Sequence, residues 1–384
     1  MSDGTGTEAS ALVAWSALAE PDDPLALGIV AALGATEALA WVRSCAGSGV
    51  LLSPPALDRK QRDALVGALP RWVARLPEAD PRALRERADL LGARLVTRGG
   101  RGWPPALDRL GAAAPFALWI RGELDPAASW SRSIALVGAR AATAYGEHVA
   151  GAIAAEAAAR GIAVISGGAY GIDAAAHRAT LACVGAPIAV LAGGVDRLYP
   201  AGNTRMLEQV VACGAVVSEQ PPGRAPMRHR FLSRNRLIAA ASATIVVEAA
   251  ARSGALNTAR HASELARPVG AVPGPVTSGA SAGCHALIRA GAAVLVTGPG
   301  EALELAAPLG EVDEPAAVGS DGRTDFGSAQ ERAAHAGIGA RGSTTDAIAR
   351  AAGLTGGQAQ AALGGLSLRG LVELRDGRWH RLSP

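Results

Sequence analysis

Arginines stand beside glycine-rich turns at several points in this chain, and that pairing is the chemistry of anion binding. Residues 137–146 contain Gly138, Arg140, Thr143, Tyr145 and Gly146 in a turn that opens a helix. The free N–H groups of such a turn suit an anion. Residues 166–173 contain Ser166, Gly167, Gly168, Tyr170, Gly171 and Asp173, where glycine lets the backbone approach a ligand closely. A third turn begins Gly193-Gly194, passes Asp196 and Tyr199-Pro200, and is followed by Asn203 and Arg205. Residues 221–236 hold five arginines and no acid, the sharpest basic concentration in the chain. Ser253-Gly254 forms another turn into a helix. Arginine forks pair bidentately with phosphate oxygens. The three tyrosines, Tyr145, Tyr170 and Tyr199, each follow one of the first three turns. Aromatic rings there suit base stacking, worth ~1–3 kcal/mol per base.

Other chemistries fit less well. Asp173 and His177 read either as an acid/base pair or as a helix cap and a hydrogen-bonded helical histidine. The turn after Val137 lacks the second and third glycines of a dinucleotide fingerprint. Gly279-Ala-Ser281-Ala-Gly283 matches GxSxG, but a nucleophile elbow needs its serine directly after a strand. Lys60 is the sole lysine, in Asp58-Arg59-Lys60-Gln61, which excludes Walker ATPases, Ser-x-x-Lys hydrolases and lysine Schiff-base enzymes. The four cysteines form no CxxC and the seven histidines no HExxH, so neither a metal nor a cofactor is expected. Sparse cysteines fit a reducing cytosol, and the acidic start with no long apolar run predicts a soluble, cytoplasmic protein.

These turns need a scaffold, and 384 residues suffice for two or three domains. A hydrophobic content of 49% with a net charge of +3 permits a packed core and confines any nucleic-acid site to a local basic patch. Residues 1–8 read as frayed, and residues 10–91 as several short helices broken at prolines, with Trp15, Trp41 and Trp72 as core anchors. Residues 92–130 read as a connector with strands near 92–97 and 116–121. Seven apolar runs follow, at residues 134–138, 162–166, 187–192, 215–218, 243–248, 269–272 and 293–297, alternating with alanine-rich helical segments. That alternation predicts an α/β fold, a Rossmann-like, open, doubly wound and mostly parallel sheet with its ligand crevice at the strand carboxyl ends. Residues 306–327 read as a linker. Residues 328–384 read as helix–turn–helix plus hairpin, the outline of a winged helix. Its second helix carries only Arg369 as a base, a poor face for duplex DNA.

Taken together, these strings resemble the DNA-processing protein A (DprA, also Smf) family. The matching residues include Val137-Gly-Ala-Arg140, Ser166-Gly-Gly168, Gly171-Ile-Asp173, His177, Tyr199-Pro200, Asn203, Arg234-Asn-Arg236, Ser253-Gly254 and Val272-Pro-Gly274. They cover about residues 134–296 in order. The resemblance implies a three-part layout: an N-terminal SAM-like helical domain at 1–91, a core at 92–305 and a winged helix at 328–384. It also implies a non-enzymatic protein that binds and protects single-stranded DNA and loads RecA during natural transformation. Such a protein acts as a homodimer through a surface near 284–296. The single-strand site implied is Gly138, Arg140, Ser166, Gly167, Gly168, Asn203, Arg205, Arg234, Asn235, Arg236, Ser253 and Gly254. The alternative is a phosphoribohydrolase-type enzyme. Against it, Thr258 is followed by Ala259, Arg260 and His261, without the glutamate such enzymes place three residues on. Asp173, Glu219 and Glu248 remain as candidate carboxylates.

Overall fold

The computed structural model describes residues 4–48, 59–307, 329–339, 342–368 and 371–382. The chain divides into two compact units, Met1–Gly310 and Glu311–Pro384. In the first, nine strands form one sheet: β1 (Ala93–Thr97), β2 (Ala117–Arg121), β3 (Ser133–Val137), β4 (Ala163–Ser166), β5 (Pro187–Val190), β6 (Ala215–Ser218), β7 (Ala243–Val246), β8 (Val269–Ala271) and β9 (Val294–Leu295). Their order is β1-β2-β6-β5-β4-β3-β7-β8-β9. The seven apolar runs are the parallel strands β3 to β9, and the sheet is open, as the alternation predicts. The 92–130 connector adds β1 and β2, with β2 antiparallel to β6. The chain steps outward from β3 to β6 and then returns to β7 on the other flank of β3. That reversal opens a crevice at the carboxyl ends of β3 and β7.

The parallel strands β3 to β8 are buried at every position and mostly apolar because both faces are covered, with Ser133, Ser166, Ser218 and Thr244 as their buried polar residues, whereas the edge strand β9 is exposed. Ala135, Val137, Ile165, Ile188, Val190 and Val217 point into one core. The alternate residues Ile134, Leu136, Val164 and Ile245 point into a second. On that second side, Trp119, Ala189 and Val216 meet the N-terminal helices instead. Segments 1–91 and 92–305 thus share one continuous core. Trp15 and Trp72 lie edge to face at 5.4 Å inside it, and Trp15 also meets Phe116 at 5.9 Å. Trp41 is only half-buried.

Two local expectations need correction. Residues 4–8 are not frayed: a helix runs Gly4–Leu18, and the Glu8 carboxylate accepts from the N–H groups of Ala35 (2.6 Å) and Thr36 (3.1 Å). The start of helix Ala35–Ser48 thereby gains its cap from a distant segment. Pro24 and Pro81 do start helices, behind the caps Asp23 and Asp80, but Pro70 lies inside helix Arg59–Arg75. Pro54, Pro55 and most of the predicted linker lie outside the described residues. Among the described residues, no single helix is long and apolar enough to cross a membrane.

In the second unit, helices Ala329–Ala336, Thr345–Ala352 and Gly356–Leu368 precede a hairpin of β10 (Val372–Arg375) and β11 (Arg378–Arg381). Gly353 ends its helix in the left-handed conformation, and Asp376-Gly377 turns the hairpin with positive φ at both positions. Ile348, Leu363, Leu366 and Trp379 form the core of this unit. Arg369 lies outside the described residues.

Candidate functional site

The crevice at β3 and β7 is a cleft of about 270 Å³. Val137, Gly138, Arg140, Ala169, Asp173, Phe231, Arg234, Asn235, Ser253, Gly254 and Thr258 are among its lining residues. Its walls are two turns after strands, one face of a helix and one helix start.

The first wall follows β3. A Cβ on Gly138 would lie 2.5 Å from the Ile172 side chain and 2.9 Å from the Glu248 carbonyl oxygen, so glycine is required for this close approach. Thr143 caps helix Ala144–Ala159, and the buried Glu248 carboxylate accepts from the Thr143 N–H (2.9 Å) and hydroxyl (2.6 Å). The short loop between these two fixed points carries Arg140, which is exposed.

The second wall follows β4. The Ser166 hydroxyl donates to Leu136 O beneath the loop, and the residue is fully buried. The Asp173 carboxylate accepts from Gly167 N–H (3.0 Å) and Ala169 N–H (3.3 Å). Asn203 donates to the carbonyls of Gly168 and Ala169, both at 3.0 Å. Side chains on both flanks therefore hold this loop. Asp173 caps its loop and not its helix, whose N-cap is Gly171. Nor does Asp173 pair with His177, whose two ring nitrogens are buried with no hydrogen-bond partner among the described residues. Burial holds the His177 imidazole neutral, with its pKa down at about 4. The structure thus holds neither an acid/base pair nor a hydrogen-bonded histidine at these two positions.

The third wall is helix Arg228–Ala239. Phe231, Arg234, Asn235 and Ile238 recur at i, i+3, i+4 and i+7 and face the cleft together. Arg234 is buried under Gly167: it donates to Val190 O, and a Cβ on Gly167 would lie 2.3 Å from its Nη1. Burial lowers the Arg234 pKa to about 10, leaving it charged at neutral pH, while the nearby Asp173 carboxylate favours that charge. Burial also raises the Asp173 carboxyl, against the pull of Arg234 and the two N–H donors. The Arg140 and Arg234 guanidinium groups lie 5.4 and 6.0 Å from the centre of the Phe231 ring. Tyr199, half exposed, meets the same ring at 5.9 Å. Two cations and two aromatic rings thus meet at the cleft mouth.

The fourth wall is the start of helix Gly254–Glu264. The Ser253 hydroxyl accepts from Ala255 N–H at 3.2 Å, and Gly254 faces open space. Its partial positive charge points at the cleft. Tyr170 and Tyr145 stand exposed farther along the rim, tied to Gly202 N–H and Pro273 O.

The predicted residues therefore separate. Gly138, Arg140, Arg234, Asn235, Ser253 and Gly254 line the cleft. Ser166, Gly167, Gly168 and Asn203 are buried and form or brace its loop. Arg205 is exposed on helix Thr204–Cys213, outside the lining. Arg236, expected in the site, is not part of the cleft lining. It points to the opposite side of its helix, 2% exposed, in a two-pronged pair with Glu219 at 2.6 Å for both oxygens. Residues 234 and 236 are two apart on a helix, so they cannot share a face. Sequence reasoning missed Phe231 as a site residue, although its helical spacing from Arg234 and Asn235 was the available signal. Ser281 of the GxSxG string is buried in a short turn against Gly274 and does not directly follow a strand, β8 having ended at Ala271. Among the described residues, no group of three or more His, Cys, Asp or Glu could hold a metal ion.

Residues 94–307 match the family described as DNA recombination-mediator protein A. The chain is 46% identical over 346 residues to DprA of Mycobacterium tuberculosis, covering 85% of this chain and 87% of that protein. It is 44% identical over 192 residues to protein Smf of Escherichia coli, half of each chain. The structure of DprA from Streptococcus pneumoniae superposes with a TM-score of 0.56 at 30% identity, covering 69% of this chain and 91% of that one. DprA from Helicobacter pylori, a structure concerned with its single-stranded DNA binding mode, gives 0.50 at 25% identity over 55% and 94%. The match spans the sheet and every wall of the cleft, and the chain belongs to the DNA recombination-mediator protein A (DprA/Smf) family.

Proposed function

We propose that this protein binds single-stranded DNA along the carboxyl rim of its sheet. The observation that carries this reading is the convergence of Arg140 and Arg234 on Phe231 at the mouth of a cleft flanked by glycine turns. Exposed Arg140 supplies a phosphate ligand, and buried Arg234 holds positive potential under the Gly167 loop. The N–H groups of the β3 loop and of the Gly254 helix start add neutral donors. Phe231 and Tyr199 offer rings to sugars or bases. The single-strand binding of the Helicobacter pylori relative supports this assignment.

The finer role follows the family. The protein shields incoming single strands in the cytoplasm and passes them to RecA during natural transformation, acting as a homodimer through the last βα unit. Val294 and Leu295 on the edge strand β9 are 56% and 46% exposed, which suits a partner there. Two clefts on one strand add avidity to a modest single contact. The three-helix-and-hairpin unit is read as a winged helix with a structural or protein-binding role.

We read the cleft as a binding site and not a catalytic one. Asp173 is spent on loop N–H groups, Glu219 on Arg236 and Glu248 on Thr143. Stoichiometric base release from nucleotides incubated with the protein would reinstate the hydrolase.

The test is a fluorescence-anisotropy titration of single- and double-stranded oligonucleotides across salt. The expected result is preference for the single strand, with Arg140→Ala flattening the log–log salt slope by about 0.7. An isotherm unchanged by Arg140→Ala would remove the assignment.

A further inference from the structure

The basic window continues past the cleft. Residues 193–199 and 221–231 run side by side away from its mouth. Gly194 N–H donates to Arg224 O at 2.9 Å, and Gly223 N–H donates to the Asp196 carboxylate at 2.8 Å. At one end of this strip Tyr199 meets Phe231. At the other end the strip reaches helix Pro81–Leu90, where a Cβ on Gly223 would lie 2.4 Å from an Arg87 guanidinium nitrogen. Gly223 also has φ of +91°, so the position favours glycine twice over.

The acids along the strip are occupied. Glu78 pairs with Arg224 at 2.9 Å, Glu20 pairs with Arg75 and Arg230, and Asp196 holds Gly223. Arg87, Arg197 and Arg228 are exposed and, among the described residues, form no ion pair and no side-chain hydrogen bond. Met227, 49% exposed, adds apolar surface beside them. Unpaired guanidinium groups interleaved with exposed apolar side chains make a surface that takes phosphates and bases together. An acidic protein segment would use the charges and leave Met227 and Tyr199 without a role.

We infer that this strip is a second stretch of the single-strand path, leading the sugar–phosphate chain from the cleft mouth onto the N-terminal helices through Arg228, Arg197 and Arg87. The inference rests on the single-strand binding proposed above. It gives the N-terminal helices a share in holding DNA and predicts a site longer than the cleft alone.

The test compares the wild-type protein with Arg87→Gln/Arg197→Gln/Arg228→Gln on oligothymidylates of roughly 6 and roughly 20 nucleotides, one near the lower end of usual single-strand site sizes and one beyond the upper end. The triple variant should bind the short strand as the wild type does. It should bind the long strand at least tenfold more weakly, with the salt slope reduced by about 2. Arg140→Ala should weaken both lengths. Arg87 packs against Gly223, so Arg197→Gln/Arg228→Gln is the second variant, with a slope reduced by about 1.4 on the long strand alone. Unchanged binding of both lengths by both variants overturns the inference while leaving the cleft intact, and marks the strip as a surface for another class of partner. Equal losses at both lengths also overturn it. A wild-type protein that binds neither length defeats the single-strand reading itself.

Discussion

Replacing Arg236 by alanine leaves the Glu219 carboxylate alone in the interior. The two side chains are 2% and 6% exposed and share two hydrogen bonds of 2.6 Å. Arg236 also donates to Ala113 O and Ser233 O, both at 2.9 Å, and so joins helix Arg228–Ala239 to the segment before β2. Removing one member of a buried ion pair costs about 3–5 kcal/mol, because the remaining charge stays desolvated. In a unit of this size each kcal/mol moves the melting temperature by roughly 2 °C. A loss of roughly 6–10 °C is expected for the transition of the larger unit, followed by circular dichroism. Removing both charges with Arg236→Met/Glu219→Leu leaves the Ala113 carbonyl without its donor, at about 1–3 kcal/mol, while Asp22, 4.0 Å from Arg236, is exposed enough to stay solvated. The double variant should therefore melt above Arg236→Ala. The single-strand salt slope should match the wild type for both variants, measured below their transitions. Arg236→Ala melting at the wild-type temperature refutes the buried-pair argument. A salt slope lowered as by Arg140→Ala would return Arg236 to the DNA site.

Three further outcomes follow from the same geometry. Gly167→Ala places a Cβ 2.3 Å from Arg234 Nη1, so loop or guanidinium must shift; about 1–3 kcal/mol of stability and most single-strand affinity should be lost, and wild-type binding would contradict the packing. His177 is buried neutral, with its pKa lowered from 6.5 to about 4, so its contribution is whole above pH 6.5 and drains away as pH falls to 4. His177→Leu should remove roughly 3 kcal/mol of pH dependence from denaturant unfolding across that window, and an unaltered profile refutes it. The homodimer proposed through the last βα unit predicts a dimer mass in light scattering for the wild type and a shift towards monomer for Leu295→Arg on the exposed edge strand; a dimer left intact by the substitution, or a monomeric wild type, refutes that interface.

Much of the fold is legible in the residue pattern. Runs such as residues 134–137 and 162–165 are apolar at every position, as a strand covered on both faces requires, and all seven runs lie in the parallel sheet. The glycines report their own constraint: Gly138 and Gly167 stand where any Cβ would strike a neighbour. Pro70 and Glu8 were misread for one reason. Proline tolerance inside a helix and capping from a distant residue depend on what packs nearby, and local propensity carries none of that.

Chain order alone determined that glycine turns and arginines follow successive buried strands, because hydrophobic alternation and turn chemistry are local properties. The three-dimensional packing decided which arginines face the cleft. A helix turns 100° per residue, so Arg234 and Arg236 diverge, one beneath Gly167 and the other to Glu219. It also decided that Arg140, nearly a hundred residues away in sequence, meets Arg234 across one phenylalanine ring. That meeting depends on β3 lying between β4 and β7, a long-range pairing that brings loops from distant parts of the chain to one rim of the sheet.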